Sequence, residues 1–131
     1  MKVEPSSRDL LEIARATLLA EIAPALPEAQ RYGALMAANA LAIAGREIAA
    51  PDAGPAELAR LAALLPGWTP PGDGPEALRE GTARLAARIR EGAFDDGAAR
   101  DSLIAHLRET VRARLAISNP RALAREEGTA R

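Results

Sequence analysis

Apolar positions recur along this 131-residue chain at intervals of three and four, and proline and glycine cut them into segments. That pattern predicts a succession of helices. Leu11, Ala14, Leu18 and Ile22 share one helical face behind Ser6-Ser7-Arg8-Asp9, where Ser6 reads as an N-cap with Asp9 reaching back to it. Pro24 and Pro27 stop this helix, and Pro27 can open the next. The second helix, about residues 27–50, carries Tyr32, Leu35, Met36, Asn39 and Ile43 on one stripe. Ala34, Ala37, Leu41, Ala44 and Ile48 form another. Apolar side chains on more than one face predict burial on more than one side, so this is the expected central helix, with its wetter end at Arg46-Glu47.

Pro51 to Gly54 reads as a turn, and Pro55 opens a third helix with Leu58, Leu61 and Leu65 on one face. Residues 66–75 hold four prolines and three glycines and predict a stiff loop around Trp68. The fourth helix starts near Pro75, points Leu78, Leu85 and Ile89 inward, and ends at Gly92. The fifth begins between Asp96 and Ser102, with Leu103, Leu107, Val111 and Leu115 at helical spacing. It stops at Asn119, because a residue before proline is pushed out of the α region. Arg121 to Glu127 can add a turn. No strand pattern and no internal repeat is visible. The expectation is an all-α, single-domain bundle of about five helices around the buried second helix. The domain spans 1–131, with its core in about 6–121 and a frayed tail over 122–131.

Composition sharpens this picture. Aromatic residues are 2% of the chain (Tyr32, Trp68 and Phe94), so the core is expected to be aliphatic and alanine-rich, which lets helices approach closely. Seventeen basic and eighteen acidic residues leave a net charge of -1, which gives no field to steer nucleic acid or an anionic membrane. The segment 100–131 has seven Arg against four acids, but they interleave as on a solvated helix face. With no Cys and one His, a metal site is not expected, and no nucleotide loop or nucleophile elbow indicates a cofactor. The N-terminus lacks an apolar signal core and no run reaches the roughly 20 residues that span a bilayer, so no membrane association and a cytoplasmic location are expected.

The candidate functional residues are the polar ones in apolar settings, plus one exposed-loop aromatic. Asn39 on the central helix would either fix register by a helix-to-helix hydrogen bond or contact a ligand. Arg46 and Glu47 either form structural ion pairs or supply an anion anchor, for which the planar guanidinium is suited. His106, beside the expected core position Leu107, is a boundary residue or a proton carrier. Trp68 either lids the core beside Leu64 and Leu65 or presents an anchor to a partner. Asp95-Asp96 read as a cap rather than a metal site.

The words Ala37-Ala38-Asn39-Ala40-Leu41-Ala42-Ile43 with Arg46-Glu47, Leu85-Ala86-Ala87-Arg88-Ile89-Arg90-Glu91-Gly92, and His106-Leu107-Arg108 followed by Leu115-Ala116-Ile117-Ser118-Asn119-Pro120-Arg121 together resemble a family of small bacterial helical proteins recorded as a domain of unknown function. The resemblance runs from about Pro5 to Arg121 and adds Asn119 and Arg121 to the candidates. It implies a genomic setting beside, or fused to, phosphotransferases similar to aminoglycoside kinases and near acyl-CoA dehydrogenases. It implies no catalytic residue. Family members often carry an aromatic after Asn-Pro-Arg, where this chain has Ala122, which implies a looser tail.

Two functions follow as expectations: a non-catalytic accessory protein that binds such a kinase-like or dehydrogenase partner, or a bundle that binds a small acyl or CoA-like ligand. An enzyme using Glu47 or His106, and self-association as a homodimer, are further alternatives. A polar-lined cavity beside the second helix would speak for the ligand reading.

Overall fold

The computed structural model describes residues 3–129, and among these every regular element is helical. The helices are α1 (Ser7–Thr17), α2 (Glu28–Ala49), α3 (Gly54–Leu64), α4 (Pro75–Arg90), α5 (Gly97–Ser118) and α6 (Pro120–Thr129). The all-α class and the punctuation by Pro and Gly are as the sequence predicts. Ser6 caps α1 in a full capping box: its hydroxyl accepts from the Asp9 N–H, and the Asp9 carboxylate accepts from the Ser6 N–H. The chain does not break after α1. A π-helical turn (Leu18–Ile22) and a 3-10 turn (Ala23–Ala25) carry it to Leu26, so Pro24 sits inside a helical turn rather than ending one. Pro55 and Pro75 lie in the first turns of α3 and α4, where a missing N–H costs nothing.

The described chain forms two compact units. The first holds the residues up to Ala50 and those from Ala116 onward; the second holds Pro51–Leu115.

In the second unit Leu61, Leu65, Leu85, Phe94 and Leu103 make one buried cluster, with Leu64, Trp68, Leu78 and Ala93 packed against it. Gly81 of α4 is buried beneath the Trp68 ring: a Cβ there would lie 2.7 Å from the ring's Cη2. Gly92, with φ +82, ends α4 in a Schellman arrangement. Its N–H donates to the Ile89 carbonyl and that of Ala93 to the Arg88 carbonyl, satisfying two otherwise orphaned acceptors. Ile89, expected inward, is exposed; α4 buries Ala77, Gly81 and Leu85 instead. On α5 the expected inward stripe is also displaced. Leu107 and Val111 are exposed, and the buried positions are Leu103, His106 and Thr110. Those three follow i, i+3, i+7 spacing, which the apolar count alone could not select, because two of them are polar.

The first unit corrects the largest expectation. The central helix has the predicted extent, but it is not buried on several sides. Ala38 is the buried residue of α2, while Tyr32 is 71% exposed, Leu35 46% and Met36 48%. Within this unit α1 and the turns that follow it are the elements packed along α2, and one helix covers only one side of another. Beyond α5 the chain resumes as α6, a ten-residue helix with Ala122 and Leu123 half-buried.

Candidate functional site

Two features of the first unit stand out, and both lie on α1 and α2. The first is the stripe Tyr32, Leu35, Met36, Asn39 and Ile43. Its i, i+3, i+4, i+7, i+11 spacing is that of a helix face built for packing, yet its first four members are exposed and Ile43 is half-buried. On α1, Leu10 and Ile13 are exposed as well. The stripe and α1 contrast with the unit's interior, where Ala23 and Ala38 are the fully buried hydrophobic residues.

The second feature is a groove of about 300 Å³ between α1 and α2, lined by Arg8, Leu11, Glu12, Arg15, Leu41, Ala42, Gly45, Arg46 and Ala49. Arg8, Glu12 and Arg15 come from successive turns of α1, on the face that spacing of three and four produces. The floor on α2 is made of small residues: Ala42, Gly45 and Ala49 recur at i, i+3, i+7, and a Cβ on Gly45 would meet nothing within 4 Å. Arg46 is half-buried, and its Nε donates to the Ile117 carbonyl at 2.6 Å across 71 residues of sequence. That bond anchors the guanidinium at the groove's rim.

Of the other sequence candidates, Asn39 is exposed within the apolar stripe, not buried in a core, so its amide needs no protein partner. Glu47 is exposed. Asn119 is exposed, and its carbonyl accepts from the Ala122 N–H in the first turn of α6, on which Arg121 is also exposed. These two follow closely on Ile117, the residue to which Arg46 is tied.

Trp68 and His106 belong to the second unit. Trp68 is half-buried against the core, and its Nε1 donates to Glu80 Oε1 at 3.2 Å. Arg84 donates to the same oxygen at 2.8 Å, and these two hydrogen bonds, Arg84's the stronger, hold the Glu80 carboxyl below its ordinary range. His106 is 5% exposed and Thr110, one turn on, is 9% exposed. His106 Nδ1, Thr110 Oγ1 and Arg60 Nε are buried without a hydrogen-bond partner. Burial first, then the Arg60 charge, push the imidazole below its usual value, while Glu57 opposes them. Glu57 in turn pairs with Arg114 at 3.7 Å.

Sequence reasoning missed Arg8, Glu12 and Arg15, which look like ordinary solvated charges until α1 is laid on α2. It also missed Arg60 and Thr110; the latter's spacing from His106 was the available signal. Neither Glu47 nor His106 lines the α1–α2 groove or two further grooves of the second unit, one of about 440 Å³ beside Trp68 and one of about 360 Å³ beside Phe94. Among the described residues no group of three His, Asp or Glu is placed to hold a metal ion, and no helix is long and apolar enough to cross a membrane.

The family of domains of unknown function DUF6285 matches residues 24–122. The chain belongs to the DUF6285 family. The matched stretch contains the apolar stripe of α2, the Arg46–Ile117 bond and all seven sequence candidates, while α1 precedes it. No curated protein and no solved structure matches this DUF6285 chain.

Proposed function

We propose that this DUF6285 protein is a non-catalytic interaction module that seats a protein partner on the exposed stripe of α2. The observation that carries the reading is the imbalance in the first unit: Tyr32, Leu35 and Met36 face water while two alanines are its fully buried hydrophobic residues. Covering a fully exposed Leu or Met contributes about 1.5–3 kcal/mol. At half exposure, Leu35 and Met36 would each contribute about half of that when covered, and Tyr32 adds a large ring with a polar tip of the kind that anchors interfaces. Contiguous apolar faces rimmed by charge mark association surfaces in soluble proteins. The resemblance noted from the sequence nominates the occupant, a phosphotransferase similar to aminoglycoside kinases or an acyl-CoA dehydrogenase. In either case this chain would act as an accessory part and not as the catalyst.

The test is analytical ultracentrifugation of the purified protein, alone and mixed with each candidate partner from the same host, with wild type and a Leu35→Gln/Met36→Gln double variant. The expected result is a discrete complex with one partner that the double variant loses. A sedimenting monomer that binds neither partner refutes the reading. A dimer that the variant dissolves assigns the stripe to a second copy instead.

A further inference from the structure

We propose that the groove between α1 and α2 binds the phosphate of a small phosphomonoester, independently of any partner on the apolar stripe. Three arginines and one glutamate line it, Arg8, Arg15 and Arg46 against Glu12, a surplus of two positive charges among the lining residues. A phosphomonoester carries about -1.5 to -2 near neutral pH, whereas a carboxylate would offset only one of the two.

Two of the three arginines make no ion pair, and the third keeps part of its fork. Glu12 lies four residues after Arg8 and three before Arg15, spacings that permit ion pairs. Even so, neither Arg8 nor Arg15 forms a hydrogen bond or ion pair among the described residues. Asp9, the neighbouring acid, is taken up chiefly by the Ser6 cap, with only a lesser attraction from Arg8. Arg46 is fixed through its Nε to the Ile117 carbonyl, so less freedom remains to be lost when its fork meets an oxyanion. Arginine is favoured for this role because its planar donors match phosphate oxygens two at a time.

The rest of the groove describes the ligand's other end. Leu11 and Leu41 with the small floor of Ala42, Gly45 and Ala49 offer a short apolar bed. About 300 Å³ is the lower limit for small-molecule sites, so the groove suits a phosphate on a compact apolar body and is too small to enclose a nucleotide-sized cofactor.

Isothermal titration calorimetry at low ionic strength, with phenyl phosphate as probe and benzoate as its carboxylate counterpart, tests this. The expected result is saturable one-site binding of phenyl phosphate, about tenfold or more tighter than benzoate and weakened as salt rises. Arg15→Gln and Arg46→Gln should each weaken it by about tenfold, and Arg112→Gln, on α5, should leave it unchanged. Arg15 is exposed, so its variant keeps the fold, which circular dichroism confirms for each variant. Absence of saturation, equal affinity for benzoate, or phosphate binding indifferent to Arg15→Gln would each overturn the assignment.

Discussion

Replacing Gly81 by alanine tests the packing of α4 against Trp68 in the second unit. In most helix interiors this change stabilises, by about 1 kcal/mol, because alanine loses less backbone freedom on folding. At Gly81 the new methyl would stand 2.7 Å from Trp68 Cη2, 3.1 Å from its Cζ3 and 3.2 Å from Leu61 Cδ1. Leu61 is wholly buried and has nowhere to go, so the indole must lift. Overpacking of this kind costs about 1–3 kcal/mol. Lifting the ring also stretches the Trp68–Glu80 hydrogen bond, already 3.2 Å long, whose partial exposure limits the loss to about 0.5–1 kcal/mol. After the helix gain is subtracted, a net destabilisation of about 0.5–3 kcal/mol remains, or about 2–10 °C in Tm for a chain of this size. Thermal melts by far-UV circular dichroism, with emission from the chain's single tryptophan, read both consequences: a lower Tm and a red-shifted spectrum. The comparison is Gly33→Ala on α2, where a Cβ would meet nothing within 4 Å and Tm should rise. Combining Gly81→Ala with Trp68→Phe should recover part of the loss, since the smaller ring clears the methyl. A Gly81→Ala protein that melts higher than wild type with unshifted emission would show that the indole does not rest on α4.

His106 has its pKa lowered chiefly by burial, so the unfolded chain binds a proton more readily. Stability should therefore be full above the ordinary value of 6.5 and decline as pH falls below it, by at most about 1.4 kcal/mol per pH unit; urea titrations from neutral pH to below 6.5 on wild type and His106→Gln should show a shallower decline in the variant. Ser6→Ala removes the capping box of α1 and should lower protection of the first-turn amides in hydrogen exchange by an amount equivalent to about 1 kcal/mol, with the α4 amides unaffected. Met36→Gln should change the stability of the isolated protein by less than about 0.5 kcal/mol, as an exposed site does. A loss of 2 kcal/mol or more in its denaturation curve would mean that the stripe is already covered.

The helices were legible because their ends are written in local chemistry: the Ser6-to-Asp9 cap, Pro55 and Pro75 in first turns, Gly92 beyond a last turn, and Asn119 ahead of Pro120. Which way each helix turns its faces was less legible. The stripe through Tyr32, Leu35 and Met36 announces that a surface seeks cover, but says nothing of whether the cover lies in the same chain. On α5 the apolar residues Leu107 and Val111 suggested one inward face, while the packed seam runs through His106 and Thr110, whose polarity hid it. The groove was least visible of all. From the sequence Arg46 reads as either an ion-pair partner or an anion anchor; its bond to Ile117 joins residues far apart in sequence, and Arg8 and Arg15 gain meaning only when α1 and α2 lie side by side.

The thin interior of the first unit bears on the lifetime of the protein in a cell. Segments that bury little open often, and such openings are what proteases cut. A hairpin anchored by Ala23 and Ala38 would breathe far more than the leucine cluster around Leu61, and whatever settles on its bare side would hold it closed. On the reading proposed above, unaccompanied copies would be trimmed away, and the amount of this protein would track the supply of its companion without any dedicated regulator.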